Sequence, residues 1–165
     1  MLPEHGPRRG WLLAAAEGFA YLGGAIFVVI AILSVGSIVS RALWSRPLQG
    51  DYELVQLGGA VFVSLCLPIT QMRTANIIVD FFTVRSAPAK RAWLDAAGAL
   101  LLALVMTLLA WRLSAGTLAM REAGETTTIL GWPLWIAYAA MVPGIALTAL
   151  AALSNALDHV RKALR

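Results

Sequence analysis

The sequence has few of the residues on which most enzymes and disulfide-rich domains depend. It contains one cysteine, Cys66, so an internal disulfide is impossible. Its two histidines, His5 and His159, lie at opposite ends of the chain and provide no axial haem ligand within an apolar segment. The sequence shows no metal-ligand cluster, no phosphate-binding glycine loop and no nucleophile–base constellation. These absences argue against catalysis and predict neither a cofactor nor a bound metal.

Charge is scarce as well. Charged residues make up 13% of the chain and hydrophobic residues 59%. A soluble domain has about 25% charged residues and about 45–50% apolar residues. The net charge is +4, but the basic residues punctuate apolar segments instead of forming one stripe, so no nucleic-acid partner is indicated. The mean hydropathy of +0.76 indicates that the natural solvent of this chain is lipid.

Four long apolar segments account for this composition, at about 19–40, 54–72, 93–113 and 132–153. Each is long enough to cross roughly 30 Å of hydrocarbon as a helix, the conformation in which one segment satisfies all its own backbone groups. The predicted fold is therefore an all-α integral membrane protein with four transmembrane helices in a single domain, residues 1–165. A short interfacial helix is expected at about 11–16, before an uncleaved first span.

Tryptophan and basic residues predict the boundaries and orientation of the spans. All six tryptophans fall at predicted span ends, as in an aromatic belt: Trp11, Trp44, Trp93, Trp111, Trp132 and Trp135. One side collects nine basic residues, Arg8, Arg9, Arg73, Arg85, Lys90, Arg91, Arg161, Lys162 and Arg165, and the other side four, Arg41, Arg46, Arg112 and Arg121. The positive-inside rule then places both termini in the cytoplasm and the loops at about 41–52 and 114–131 outside.

An amphipathic stretch follows the second span directly. Its apolar residues recur at helical spacing and form one face: Ile77, Ile78, Phe81 and Phe82. Thr74 or Asn76 is a candidate helix cap. The pattern predicts a helix lying on the inner membrane surface in contact with lipid. Arg73 and Asp80 have three candidate partners, namely each other, lipid, or another subunit.

Two acids and several small residues are further candidates. Glu17 is either a proton- or cation-binding carboxylate or an acid at the inner interface that Arg8 and Arg9 neutralise. Glu53, at the outer start of the second helix, either contacts a partner or favours the positive end of the helix dipole. Small residues at spacing four predict close helix contacts, in the first span at Ala16, Ala20 and Gly24 and in the fourth at Ala140, Gly144, Thr148, Ala152 and Ala156. Pro68 and Pro143 each remove a backbone donor inside a span.

Two stretches resemble the small membrane subunits of tripartite ATP-independent periplasmic (TRAP) transporters. The sequence from Arg73 to Asp80, RTANIIVD, is similar to an R-x-x-H-I-x-V-D-like stretch of that family, with Asn76 where histidine is usual. The fourth span resembles the family's last helix, which begins with a Gly-x-Pro-x-Trp-like pattern followed by a tyrosine and a mid-helix proline. The corresponding residues are Gly131, Pro133, Trp135, Tyr138, Pro143 and Gly144. Asparagine keeps a capping side chain but loses the titratable ring.

The resemblance implies a scaffold within a three-part importer of the bacterial inner membrane. A periplasmic protein would capture a small organic acid, and a large membrane permease would carry it, driven by an ion gradient. The small subunit would brace that permease and help to form the docking surface. The residues that the resemblance and the pattern single out are Glu53, Arg73, Asn76, Asp80, Pro133, Trp135, Pro143 and Gly144. Two alternatives remain at this stage: a self-contained four-helix exporter that uses Glu17, and the membrane anchor of a redox enzyme.

Overall fold

The computed structural model describes residues 7–46, 48–73 and 88–164. Four helices dominate this part of the chain: α1 (Pro7–Trp44), α2 (Asp51–Met72), α3 (Pro88–Ala123) and α4 (Leu134–Ala163). Each contains a stretch long and apolar enough to cross a membrane. The predicted all-α architecture with four spans is thus confirmed for the described residues, where the one β-bridge pairs Thr126 with Pro133.

Three helices extend well beyond their predicted spans. Residues 11–16 continue α1 without a break, so they do not form the separate interfacial helix that was expected. α3 runs to Ala123, which removes ten residues from the predicted outer loop at 114–131. Trp111 and Arg112 therefore lie inside a helix and not at its end. Hydropathy indicates only which residues are apolar, and it gives no signal for the polar residues through which a helix continues.

The four helices pack in the order α1, α2, α4, α3. α2 and α4 are the central pair and run parallel, as the contacts of Gly144 with Ser64 and of Asn155 with Gln71 show. α1 packs antiparallel on the outer side of α2, and α3 packs antiparallel on the outer side of α4. Within the described residues, α1 and α3 share no extended interface. We call the end where α2 begins the Asp51 end, and the end where α2 finishes the Arg73 end.

Small residues allow the helices to approach one another. In the α4 stripe, Gly144, Thr148, Ala152 and Ala156 are buried, while Ala140 is exposed. The stripe is thus mainly an internal contact, a point that the sequence left open. On α1 the close approach is at Gly23 and not at Gly24, which faces open space.

A small apolar cluster joins three helices near the Arg73 end. Leu12 and Ala16 of α1 meet Met72 of α2 and Leu147 and Ala151 of α4. Near this end α1 reaches across to α4, to which it is otherwise barely connected. The predicted amphipathic helix after the second span lies outside the described residues, as do Asn76 and Asp80.

Candidate functional site

Glu53 holds the connection between α3 and α4 against the start of α2. Its two carboxylate oxygens accept hydrogen bonds from the backbone N–H groups of Ile129 at 2.8 Å and Leu130 at 3.1 Å. A carboxylate in the first turn of a helix also favours the positive end of the helix dipole. The sequence left open whether Glu53 contacts a partner or only favours the positive end of the helix dipole; in the structure its two oxygens contact this chain's own loop.

The loop at residues 124–133 is itself closed by short-range hydrogen bonds. The N–H of Thr127 donates to the carbonyl of Trp132 at 2.8 Å, and the Thr127 hydroxyl accepts from the N–H of Trp132 at 3.0 Å. Gly50 lies beneath it with φ +78, and a side chain there would collide with Leu130. A glycine is needed at this position for both reasons, since it tolerates positive φ and leaves room for the leucine.

A second carboxylate joins α1 to α2 at the same end. Asp51 accepts a hydrogen bond from the hydroxyl of Ser37 and another from the N–H of Tyr52 at 2.7 Å. Ser37 is buried on α1. Asp51 and Glu53 thus connect the beginning of α2 to both of its flanking structures, α1 and the α3–α4 loop.

Gly144 lies at the crossing of the central pair of helices. A side chain on Gly144 would collide with the backbone carbonyl of Ser64. That carbonyl lies four residues before Pro68, which has no N–H to donate to it. The Ser64 carbonyl, which has no helical N–H partner at Pro68, therefore faces Gly144. In this geometry a Cα–H of the glycine can point at the carbonyl oxygen. The structure thus brings Pro68 of α2 and Gly144 of α4 to one contact between the two helices.

Polar side chains also meet at the Arg73 end. Arg73 Nη2 lies 3.6 Å from Glu17 Oε1, and the two side chains are 68% and 43% exposed. The amide of Asn155, which is 2% exposed, donates to the carbonyl of Gln71 at 2.8 Å. The salt bridge is a solvent-exposed contact that contributes about 0–1 kcal/mol, whereas the buried amide fixes the ends of α2 and α4 to each other. Glu17 thus pairs with Arg73, a partner that the sequence suggested for neither side chain.

The remaining predicted residues lie along α4. Pro133 caps α4, which begins at Leu134, and its φ of −63 suits that place. The guanidinium of Arg121 lies over the ring of Trp135, 5.4 Å from its centroid. Pro143 is exposed on α4, beside buried Gly144. Of the eight predicted site residues, Glu53, Pro133 and Trp135 lie at or beside the 124–133 loop. Pro143 and Gly144 lie further along α4, and Arg73 lies at the opposite end of the helices. Asn76 and Asp80 are outside the described residues.

Sequence reasoning missed Ser37, Gly23 and Asn155. Their partners are distant in sequence: Asn155 and Gln71 are 84 positions apart. A polar amide within an otherwise apolar stretch was the available signal for Asn155, because a buried amide needs a partner. Gly23 belongs to a seven-residue repeat of α1, which residues at spacing four do not reveal.

The hydroxyl groups near the middle of the spans satisfy their own helices. Ser64, Thr107 and Thr148 each donate to a carbonyl three or four residues earlier, at 2.7–2.8 Å. Among the described residues there is no group of three or more histidine, cysteine or acidic side chains that could hold a metal ion. The hydroxyls of Ser64, Thr107 and Thr148 are thus occupied within the helices that carry them.

Comparison with known proteins gives a family. The family model of DctQ, described as "Tripartite ATP-independent periplasmic transporters, DctQ component", matches residues 29–162, which is 134 of the 165 residues. No curated protein and no solved structure matches the chain.

Proposed function

The chain belongs to the DctQ family, the small membrane component of tripartite ATP-independent periplasmic transporters, and from this premise we propose that it braces the large permease of a solute importer. It is a multi-pass membrane protein of a transporter and not a member of an enzyme family. The family implies a large membrane component and a periplasmic binding partner. The redox-anchor alternative is thereby set aside.

One observation above all supports the role of a brace. The mid-span hydroxyls of Ser64, Thr107 and Thr148 are directed to their own helices, whereas transport cores have convergent polar groups at mid-membrane. The outward faces of α1 and α3 are apolar along most of their length. A protein with this surface is suited to embedding beside another membrane protein and poorly suited to moving a polar solute by itself.

The distribution of basic residues supports an orientation. We assign the Arg73 end to the cytoplasm and the Asp51 end to the periplasm of a bacterial inner membrane. The loop that Glu53 holds then faces the periplasm, on the side from which a solute-binding protein approaches. The transported solute is a small organic acid and the driving force an ion gradient; both are proposals that the family resemblance supports.

Co-purification tests this function. The chain, carrying an affinity tag at its C-terminus, is extracted in mild detergent from cells that also produce the large membrane component. We expect a stable complex that contains both proteins, and uptake of the organic acid that is lost when this chain is omitted. Recovery of the chain as a homodimer with full uptake in its absence would favour the exporter alternative.

A further inference from the structure

Arg112 lies well inside α3, at a depth that its sequence position alone does not reveal. The end of α3 at Ala123 is eleven positions further along, which corresponds to about 16 Å along the helix. The sequence pattern instead placed Arg112 at the outer end of a span. An arginine at the end of a span reaches the headgroups by extending its side chain, so the depth of Arg112 depends on the register of α3 against its neighbours.

The register of α3 against α4 gives the depth relative to the central pair. Arg121 lies over Trp135, and Asp95 approaches His159 to 4.0 Å. In an antiparallel pair the numbers of facing residues add to a constant, and these two contacts give 256 and 254. Arg112 is therefore level with residues 142–144 of α4. Because Gly144 contacts Ser64, Arg112 is also level with Ser64. Ser64 is thirteen positions after Asp51, which is about 20 Å along α2 from the Asp51 end.

Arg112 points away from the rest of the chain. It is exposed, and it lies nine positions after buried Ala103, which at 100° per residue is the opposite side of the helix. Leu101, Val105 and Leu108 share its side at spacings of eleven, seven and four residues, and all three are exposed. We call these four residues the Arg112 face of α3. It is an apolar surface with a single positive charge.

The described part of this chain offers that charge no carboxylate. Residues 108–116 of α3 contain no acid, and neither do residues 139–147 of α4, which lie at the same level. Of the described residues, none forms an ion pair with Arg112. Charged side chains within spans almost always face the interior of a bundle and pair with an opposite charge. Arg112 has the charge and depth of such a residue, but it faces outward from its own chain.

We propose that the Arg112 face of α3 packs against the large membrane component of the transporter, which supplies a carboxylate to Arg112. The inference rests on the proposed function. A carboxylate matches the planar guanidinium with two parallel hydrogen bonds, and the flanking Leu101, Val105 and Leu108 exclude water from the pair. α3 then lies between α4 and the partner, so that Arg112 is buried in the complex although it is exposed in the free chain.

Two variants of the tagged chain test this in the complete complex. Arg112→Gln keeps length and polarity but removes the charge, and it should lower recovery of the large component in mild detergent at least about tenfold, because a buried carboxylate loses its partner. Arg41→Gln is the control, since Arg41 is exposed in the last turn of α1 on the other edge of the molecule. It should leave recovery unchanged.

A photo-crosslinking amino acid at Leu108 gives an independent result. We expect adducts between this chain and the large component on irradiation of native membranes. Adducts with lipid alone, or undiminished recovery with Arg112→Gln, would overturn the proposal and assign the charge to a phosphate headgroup. If the wild-type chain fails to recover the large component, the proposed function is overturned as well. If the wild-type chain and the Arg112→Gln variant both recover it normally, only the proposed role of Arg112 is overturned.

Discussion

Gly144 is the residue at which a single added methyl group should have the largest effect on the central helix pair. Its missing side chain leaves space for the carbonyl of Ser64, and Gly144→Ala would place a carbon atom against that oxygen. We expect a loss of about 1–3 kcal/mol in the free energy of unfolding, the usual cost of overpacking. The thermal unfolding midpoint of the chain in mild detergent reports this loss.

The matched control for this substitution is Gly59→Ala on α2, where an added carbon meets nothing within 4 Å. Alanine is favoured over glycine inside a helix by up to about 1 kcal/mol. Gly59→Ala should therefore leave the midpoint unchanged or raise it. Equal midpoints for the two variants would show that α2 and α4 do not approach as closely as the structure has them.

Glu53 makes a second prediction at the scale of one side chain. Glu53→Gln retains one acceptor oxygen but turns an N–H₂ group toward a backbone N–H, so one of the two loop amides loses its partner. An unsatisfied donor costs about 1–3 kcal/mol. Hydrogen exchange at the amides of Ile129 and Leu130 should accelerate at least about fivefold, as measured by mass spectrometry. Glu125→Gln, in the same loop and exposed, should leave that exchange unchanged. Acceleration by both variants would contradict a specific role of Glu53 in holding the loop.

At the scale of the helix, α1 packs on a seven-residue repeat. Leu12, Ala16, Phe19, Gly23, Ile26 and Ile30 alternate between spacings of four and three, and several of them contact α2 or α4. Such a repeat keeps one seam of a helix facing its neighbour over a long distance. It continues to Ser37, which donates to Asp51. The spacing of four residues predicts a contact at Gly24 instead, which lies beside the packed face of α1 and meets open space.

Gly23→Val and Gly24→Val therefore form an adjacent pair that separates the two repeats. A carbon added at Gly23 would lie 3.1 Å from Cys66 Sγ and 3.2 Å from the Phe62 carbonyl, whereas one added at Gly24 meets open space. Because both variants introduce the same β-branched residue, their helix propensities cancel. We expect Gly23→Val to lower the thermal unfolding midpoint by several degrees relative to Gly24→Val. A lower unfolding midpoint for Gly24→Val than for Gly23→Val would contradict packing of α1 on the seven-residue repeat.

The four helices were predictable because about 20 consecutive apolar residues leave no other structure available in lipid. The α4 stripe was largely predictable for a related reason, since four of its five small residues are buried. The ends of α1 and α3 were not, because helical hydrogen bonds continue through polar residues that give no apolar signal. The partners of Glu53 were not predictable either, since they lie 76 and 77 positions away and are backbone groups that any residue provides.

At the scale of the whole molecule, the parallel pair α2 and α4 implies that the two ends of the helix row lie on opposite sides of the membrane. The chain has one cysteine, so Cys66→Ser gives a background for single-cysteine labelling. In that background Glu125→Cys should react with a membrane-impermeant maleimide on intact spheroplasts, while Leu164→Cys should react only after lysis. Labelling of both positions from one side would contradict the arrangement, and the opposite order would invert the proposed orientation.

The open row of helices is the feature that most favours a supporting role. A self-sufficient transporter encloses its solute path, but the described parts of α1 and α3 stand at opposite edges without an interface between them. Their outward faces can be covered only by lipid or by another protein. The family match implies a membrane partner, and the outward charge of Arg112 favours its placement on the side of α3.

Reconstitution into liposomes tests that claim most directly. Vesicles that contain this chain alone, the large component alone, or both together with the periplasmic binding protein are given an ion gradient and a panel of labelled small organic acids. The account predicts uptake only when all three components are present and none with this chain alone. Solute accumulation in vesicles whose only protein is this chain would contradict it.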